Sequence, residues 1–348
     1  MKRRQGVQVL IIGGTRRCGP YLVEALLKNG HSVVCYHRGQ HNVSFSDEAK
    51  HLYGDRRNYT SFKEQMADLK ADVVIDMIAS DDRDVEAVAE AFSKRIQRYV
   101  CISTYHIYEA WEAAWNKVPS SQPVPIPEGA PKRKQLHPYG EEIRFEKLLM
   151  ESAALEAQQR GDFPVTILRW PALYGPRDTT PREWYYVRQA LDGRRQIAIP
   201  EGGQALFPRG YFENMAHTVA LIVDHLKDSG SVYNAADVGA LTLRQIVEIV
   251  GEVLEHRWEI ISVPREWMPA APRSQLLPYS CDPYDIEPHL LYDLTKIRME
   301  LEYSDLVPAA EGLEKTVRWL VDHHPPAEWL PISYPDLDEA IQRARAIN

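Results

Sequence analysis

Residues 11–22 read Ile11-Ile12-Gly13-Gly14-Thr15-Arg16-Arg17-Cys18-Gly19-Pro20-Tyr21-Leu22. The run that leads into them, residues 7–12, is almost unbroken apolar sequence, the pattern of a strand buried on both faces of a parallel sheet. The run that leaves them, residues 21–28, has helical apolar spacing and stops at Asn29-Gly30. Glycines between such a strand and such a helix let the backbone turn tightly, and the helix N-terminus then offers free N–H groups to a pyrophosphate. Gly13, Gly14 and Gly19, with Thr15 and Arg16 in the same turn, are therefore expected to cradle a dinucleotide.

Outward from this turn the strand-then-helix rhythm continues. Strand patterns fall at residues 32–36, 71–78, 98–103 and 164–169, with helical patterns between most of them. Such alternation predicts an α/β, Rossmann-type, doubly wound parallel sheet. Residues 118–138 hold six prolines and residues 264–288 six more, so both read as loops. Shorter elements follow: a strand at 231–234 and helices at about 242–256 and 309–322. The expected division is a nucleotide-binding domain over 1–172, rejoined by 208–237, and a smaller α+β substrate lobe from 173–207 and 238–348.

Composition narrows the partners. The 348 residues carry a formal charge of −8, which offers no long-range field for nucleic acid or an anionic membrane. Cys18, Cys35, Cys101 and Cys281 lack metal or C-x-x-C spacing, so free thiols and no metal site are expected. The basic start, Met1-Lys2-Arg3-Arg4, precedes an apolar run too short for a signal or a span, which makes the cytoplasm the default expectation.

The end of the second strand bears on the cofactor. NAD sites usually place Asp or Glu there to accept from the ribose hydroxyls. Here the residues are Tyr36-His37-Arg38-Gly39, and Arg38 with Arg16 is suited to a 2′-phosphate, which points to NADP with NAD as the alternative. Asp55, after a third short strand, is placed to accept from the adenine amino group. Ala79, just past the strand at 71–78, is expected to line the same cleft.

In order along the chain, the glycine turn, "GDRR" at 54–57, "YVCISTYHIY" at 99–108, "PYGEEI" at 138–143, "ILRWPALYGPRD" at 167–178, "RGYFENMAHTVA" at 209–220 and "VYNAAD" at 232–237 resemble the extended short-chain dehydrogenase/reductases of the NAD-dependent epimerase/dehydratase branch. The resemblance spans nearly the whole chain. It implies an NAD(P)-dependent oxidoreductase or epimerase/dehydratase-like enzyme acting on a small hydroxyl or carbonyl substrate, with a homodimer as a possible assembly. It further implies a Ser or Thr at the end of strand five (Thr104, beside Ser103), a Tyr at the head of the next long helix (Tyr139), and a Lys four residues on. That last position is Ile143. The tyrosine is the acid/base, and the lysine lowers its pKa and holds the nicotinamide ribose, because a phenol near pKa ≈ 10 is otherwise a poor base.

Three accounts of Ile143 stand side by side. Arg144 or His137 replaces the lysine; or a deletion displaces Tyr139; or the domain binds nucleotide as a non-catalytic regulatory or RNA-associated protein. Two more departures count against a UDP-sugar substrate: Arg16 replaces the middle glycine of the loop, and Ala172 stands where sugar-nucleotide epimerases carry asparagine. Arg182 and Trp184, with Tyr185 and Arg188 at helical spacing, are the substrate-lining candidates, with an amphipathic surface helix as the alternative reading of the same stretch.

Overall fold

The computed structural model describes residues 6–41, 48–116, 118, 120–138, 140, 145–206, 208–226, 232–269, 289–326 and 332–347. Its elements begin with β1 (Gln8–Ile12), α1 (Cys18–Lys28), β2 (Ser32–His37), β3 (Lys50–Tyr53), α2 (Tyr59–Met66), β4 (Val73–Asp76), α3 (Asp82–Phe92) and β5 (Arg98–Thr104). They continue with α4 (Glu109–Trp115), α5 (Lys147–Arg160), β6 (Val165–Trp170), β7 (Ala172–Tyr174), α6 (Trp184–Leu191), β8 (Gln196–Pro200), β9 (Arg209–Tyr211) and α7 (Phe212–Asp224). The last are β10 (Val232–Asn234), α8 (Leu243–Val253), β11 (Glu259–Val263), α9 (Thr295–Leu301), α10 (Ala309–Asp322) and α11 (Tyr334–Ile347).

Seven of these strands form one sheet in the order β10-β6-β5-β4-β1-β2-β3, parallel throughout. Both faces are covered, which is why the strands read as continuous apolar runs. Alternate residues of β1 serve opposite layers: Val9 and Ile11 pack with α1, α7 and α9, while Leu10 and Ile12 pack with α2, α3 and α5. The strand order reverses at β1, whose end lies beside those of β2 and β4, with Ile12 paired to both Tyr36 and Asp76. Open α/β sheets bind their ligands in the crevice at such a switch point.

The chain forms two compact units. The first comprises Met1–Leu173, Phe212–Ala236 and Tyr292–Leu306; the second comprises Tyr174–Tyr211, Asp237–Leu291 and Val307–Asn348. The expected lobe over 238–348 thus needs correcting, because its residues 292–306 belong with the sheet. The physical reason is that β10 ends the sheet and needs cover. Ile297 and Leu301 are wholly buried in the first unit's core, Lys296 Nζ donates to the Val232 carbonyl at 2.7 Å, and Tyr233 donates to Glu300 at 2.6 Å. Of residues 208–237, expected to return to the sheet, 208–211 and 237 lie in the second unit. That unit has its own core, drawn from α6, β8, α8, β11, α10 and α11.

Candidate active site

The glycine turn has the conformation its residues anticipate. Gly13 (φ +97°) and Gly14 (φ +82°) lie where L side chains are strained, and the Gly13 amide donates to the Tyr36 carbonyl at 3.0 Å. A Cβ on Gly19 would fall 2.2 Å from the Gly14 carbonyl oxygen, so the start of α1 closes on the turn only because that position is bare. A cradle of this shape, opening at a helix N-terminus, fits the pyrophosphate of a dinucleotide.

Basic groups gather beside it. Arg16 lies with its Nη2 3.4 Å from His41 Nδ1, and burial, together with the neighbouring charges of Arg17 and Arg38, pulls its pKa below the ordinary value. Arg38 is exposed at the end of β2. Asp55 is also exposed, and its Oδ1 accepts from the Arg57 amide at 2.9 Å. The residue of "GDRR" that is locked in place is Arg56. It is buried, ion-paired with Asp76 at the end of β4, and bonded to the Asp84 carbonyl at 2.7 Å. Burial alone would lower its pKa, but Asp76 and Asp84 outweigh that and raise it. Arg56 thereby ties the segments after β3 and β4 together under the crevice. Nothing in the sequence marked it over Asp55, because burial separates the two.

At the end of β5 the two hydroxyl candidates part. Ser103 is buried and donates to Glu151 Oε1 of α5 at 2.6 Å, so its hydroxyl is committed to that carboxylate. Thr104 is half-buried and caps the turn that follows, accepting from the His106 amide. Tyr139, Glu141, Glu142, Ile143 and Arg144 lie outside the described residues.

The helix expected to open at Tyr139 opens at Lys147 instead. His137 (φ +49°) and Gly140 (φ +104°) have left-handed backbones that an α-helix cannot contain, and Glu146 caps α5 by accepting from the Leu148 amide at 2.9 Å. Its carboxylate also accepts from Arg133 at 2.6 Å and from the His137 amide at 2.7 Å, which ties the helix start to those two residues. The first residue of α5 is a lysine that sequence reasoning passed over. Lys147 is buried, donating to the carbonyl of Ile102 on β5 at 2.7 Å and to that of Ala79 just past β4. Burial pulls its pKa below the ordinary value, while Cys101, Asp76, Asp84 and Glu151 act in the opposite sense. One turn on, Glu151 takes a bidentate pair from Arg169 (3.0 and 2.9 Å) and a contact from Lys132 at 2.8 Å. Spacing was the available signal: Lys147 and Glu151, four residues apart, share one helical face.

In the second unit Trp184 is a core residue, 3% exposed and in ring contact with His324 at 5.0 Å. The expected substrate-lining face of α6 is thus corrected to a packing face, since Trp184, Tyr185 and Tyr186 supply most of that core's aromatic bulk. Arg188 faces outward and pairs with Asp192 at 2.8 Å. Arg182 is half-buried just before α6, close enough to the half-buried Arg209 that its charge adds to the desolvation that pulls Arg209 down to about 10. Arg209 is ion-paired with Glu183 and lies 4.2 Å over the Tyr174 ring.

The chain is 25% identical over 244 residues to the chloroplast stem-loop binding protein of 41 kDa b of Arabidopsis thaliana, a match covering 65% of this chain and 58% of that protein. Over 95% of its length and 97% of the relative's it is 23% identical to a dTDP-glucose 4,6-dehydratase of Streptomyces niveus. The structure of UDP-glucose 4-epimerase with UDP-glucose from Thermotoga maritima superposes with a TM-score of 0.68 at 18% identity, covering 90% of this chain and 99% of that one. The chain spans between half and three-fifths of the length of the first curated relatives it matches. Residues 9–236 match the model of the NAD dependent epimerase/dehydratase family, and the chain belongs to that family.

Proposed function

We propose that this protein binds NADP(H) in preference to NAD(H) and acts as an oxidoreductase or epimerase-like enzyme on a small hydroxyl or carbonyl compound. The observation that carries the reading is the gathering of Arg16, Arg17 and Arg38 beside the glycine turn, with His37 where an NAD site would have a carboxylate. Gly13, Gly14, Thr15 and Gly19 would hold the pyrophosphate, and the arginines the ribose phosphate. When bound, the nicotinamide supplies hydride chemistry. The lysine role falls to Lys147 rather than to position 143: its ammonium, anchored on β5 and beside Ala79, is held at the ends of the central strands where the nicotinamide ribose would lie. Thr104 would bond the substrate oxygen; with Lys147 in the lysine role the family's tyrosine position four residues earlier is Ile143, so Tyr139, eight residues before Lys147, would have to exchange the proton from outside that spacing. Arg182 is the substrate-side candidate that remains.

Calorimetric titration with NADPH and NADH tests the cofactor. A phosphate held by two or three guanidinium groups should favour NADPH by about a hundredfold, from charge-assisted hydrogen bonds of about 1.5–3 kcal/mol. Equal affinities would overturn the reading. For the chemistry, Lys147→Met should cut turnover by at least about a hundredfold. Its stability should change by less than about 2 kcal/mol, because relief of a desolvated ammonium offsets the loss of two hydrogen bonds. Tyr139→Phe should fold normally and lose turnover; full activity would remove Tyr139 from the mechanism.

A second reading rests on the Arabidopsis relative, whose name is that of a stem-loop binding protein. A stem-loop RNA added to the same titration decides it: tight RNA binding with no cofactor affinity would favour a nucleic-acid role.

A further inference from the structure

Three histidines stand around the arginines of the proposed phosphate site, and their hydrogen bonds assign their protons. The Gly39 amide donates to His37 Nδ1 at 3.1 Å, so that nitrogen carries no proton. His37 Nε2 must then be the donor in its 2.8 Å contact with His51 Nδ1. The His37 ring is thereby held neutral, because protonating it would break the Gly39 bond. Tyr53 packs on both, stacked with His51 at 6.1 Å and edge-on to His37 at 5.1 Å.

His41 differs. Its Nδ1 faces Arg16 Nη2, which can only donate, so His41 is neutral as well, but its partner is a group that a phosphate would recruit. Among the described residues, the charged and titratable groups facing it are Arg16 on the glycine turn and Arg38 and His37 at the end of β2. Burial, then Arg16, then Arg38, pulls the His41 pKa below its ordinary value. A phosphate dianion among these groups reverses the local field. Arg16 would turn its donors to the anion, and His41 Nδ1, released, could take a proton and donate it to the same oxygens.

We propose that His41 is a further specificity residue of the cofactor site, and that binding a 2′-phosphorylated dinucleotide protonates it, whereas binding the unphosphorylated one does not. This rests on the NADP reading above. It gives His41 a double role, as a phosphate ligand and as the reason that discrimination between the two cofactors sharpens as pH falls.

Calorimetry of NADPH and NADH binding from pH 6.5 to 8.5, in buffers of different ionisation enthalpy, tests it with wild type, His41→Gln and His41→Lys. The wild type should take up about half a proton with NADPH near pH 7 and bind it about fivefold more tightly at pH 6.5 than at 8.5, as linkage requires of one histidine whose pKa rises on binding. The ester's own second ionisation, near pKa about 6, releases protons instead, but equally in every variant, so the difference from His41→Gln isolates the histidine. His41→Lys should bind NADPH tightly with a flatter profile, and thermal melts of both variants check that they fold. A His41→Gln profile and proton count equal to the wild type's would overturn the inference while leaving an NADPH preference standing. No preference at any pH would overturn both readings.

Discussion

Glu151 shows how much one buried carboxylate can organise. Burial alone would raise its pKa, but the hydrogen bonds and charge of Arg169, with those of Lys132, outweigh this and hold it at about 2 against an ordinary 4.5. A folded-state pKa below the unfolded one means stability that is fully present above about pH 4.5 and lost as pH falls through about 2. Glu151→Gln should cost about 3–5 kcal/mol, because Arg169 would keep its charge with no counter-charge in the core. It should also flatten the acid limb of a stability–pH curve in that window, measured by denaturant unfolding between pH 2 and 6. An unchanged acid limb would show that Glu151 does not carry this linkage. Arg169 donates as well to the Tyr108 hydroxyl at 2.9 Å, and Tyr108 to Asn234 at 2.5 Å, so β5, β6, β10 and α5 share one polar network in the first unit.

Among the elements, the junction of β1 and α1 has the least tolerance. Gly19→Ala would drive a methyl into the Gly14 carbonyl, and backbone on backbone cannot yield as a side chain can. A cost of about 1–3 kcal/mol in thermal unfolding is expected, from overpacking of a tight site. Cofactor affinity should fall with it, since the shift opens the turn; a variant with wild-type melting and binding would refute the close approach. At α5 the position of the N-terminus decides which residue leads the helix, and hence which lysine faces β4 and β5. That position depends on Glu146 holding Arg133 and the His137 backbone, contacts 13 and 9 residues away in sequence.

For the molecule as a whole, the chain returns to its first unit twice, and the second return is short. Leu301 is fully buried there. Leu301→Ala should cost about 2–5 kcal/mol as a buried leucine truncation. The loss should speed hydrogen exchange in peptides from β10 and α7, which share its core; effects confined to peptides of the second unit would contradict the assignment. Among the described residues no helix is long and apolar enough to cross a membrane.

What the sequence determined by itself is what depends on near neighbours. Apolar runs gave strands whose two faces are both covered, helical spacing gave α1, α8 and α10, and the glycines marked the turn that only they can form. Motif order along the chain was enough to identify the family. Four matters were decided only by the tertiary structure. Ser103 and Thr104 are adjacent and similar, and the carboxylate of Glu151 on a distant helix claims the first. Trp184 read for a substrate pocket or an amphipathic surface helix until α6 packed it into the core of its unit. Residues 292–306 carry no local sign that β10 needs them. Lys147 drew no reading at all, because the carbonyls that hold it lie 45 and 68 residues earlier in the chain. In each case the deciding term is burial or a partner far along the sequence, and neither has a local periodicity to betray it.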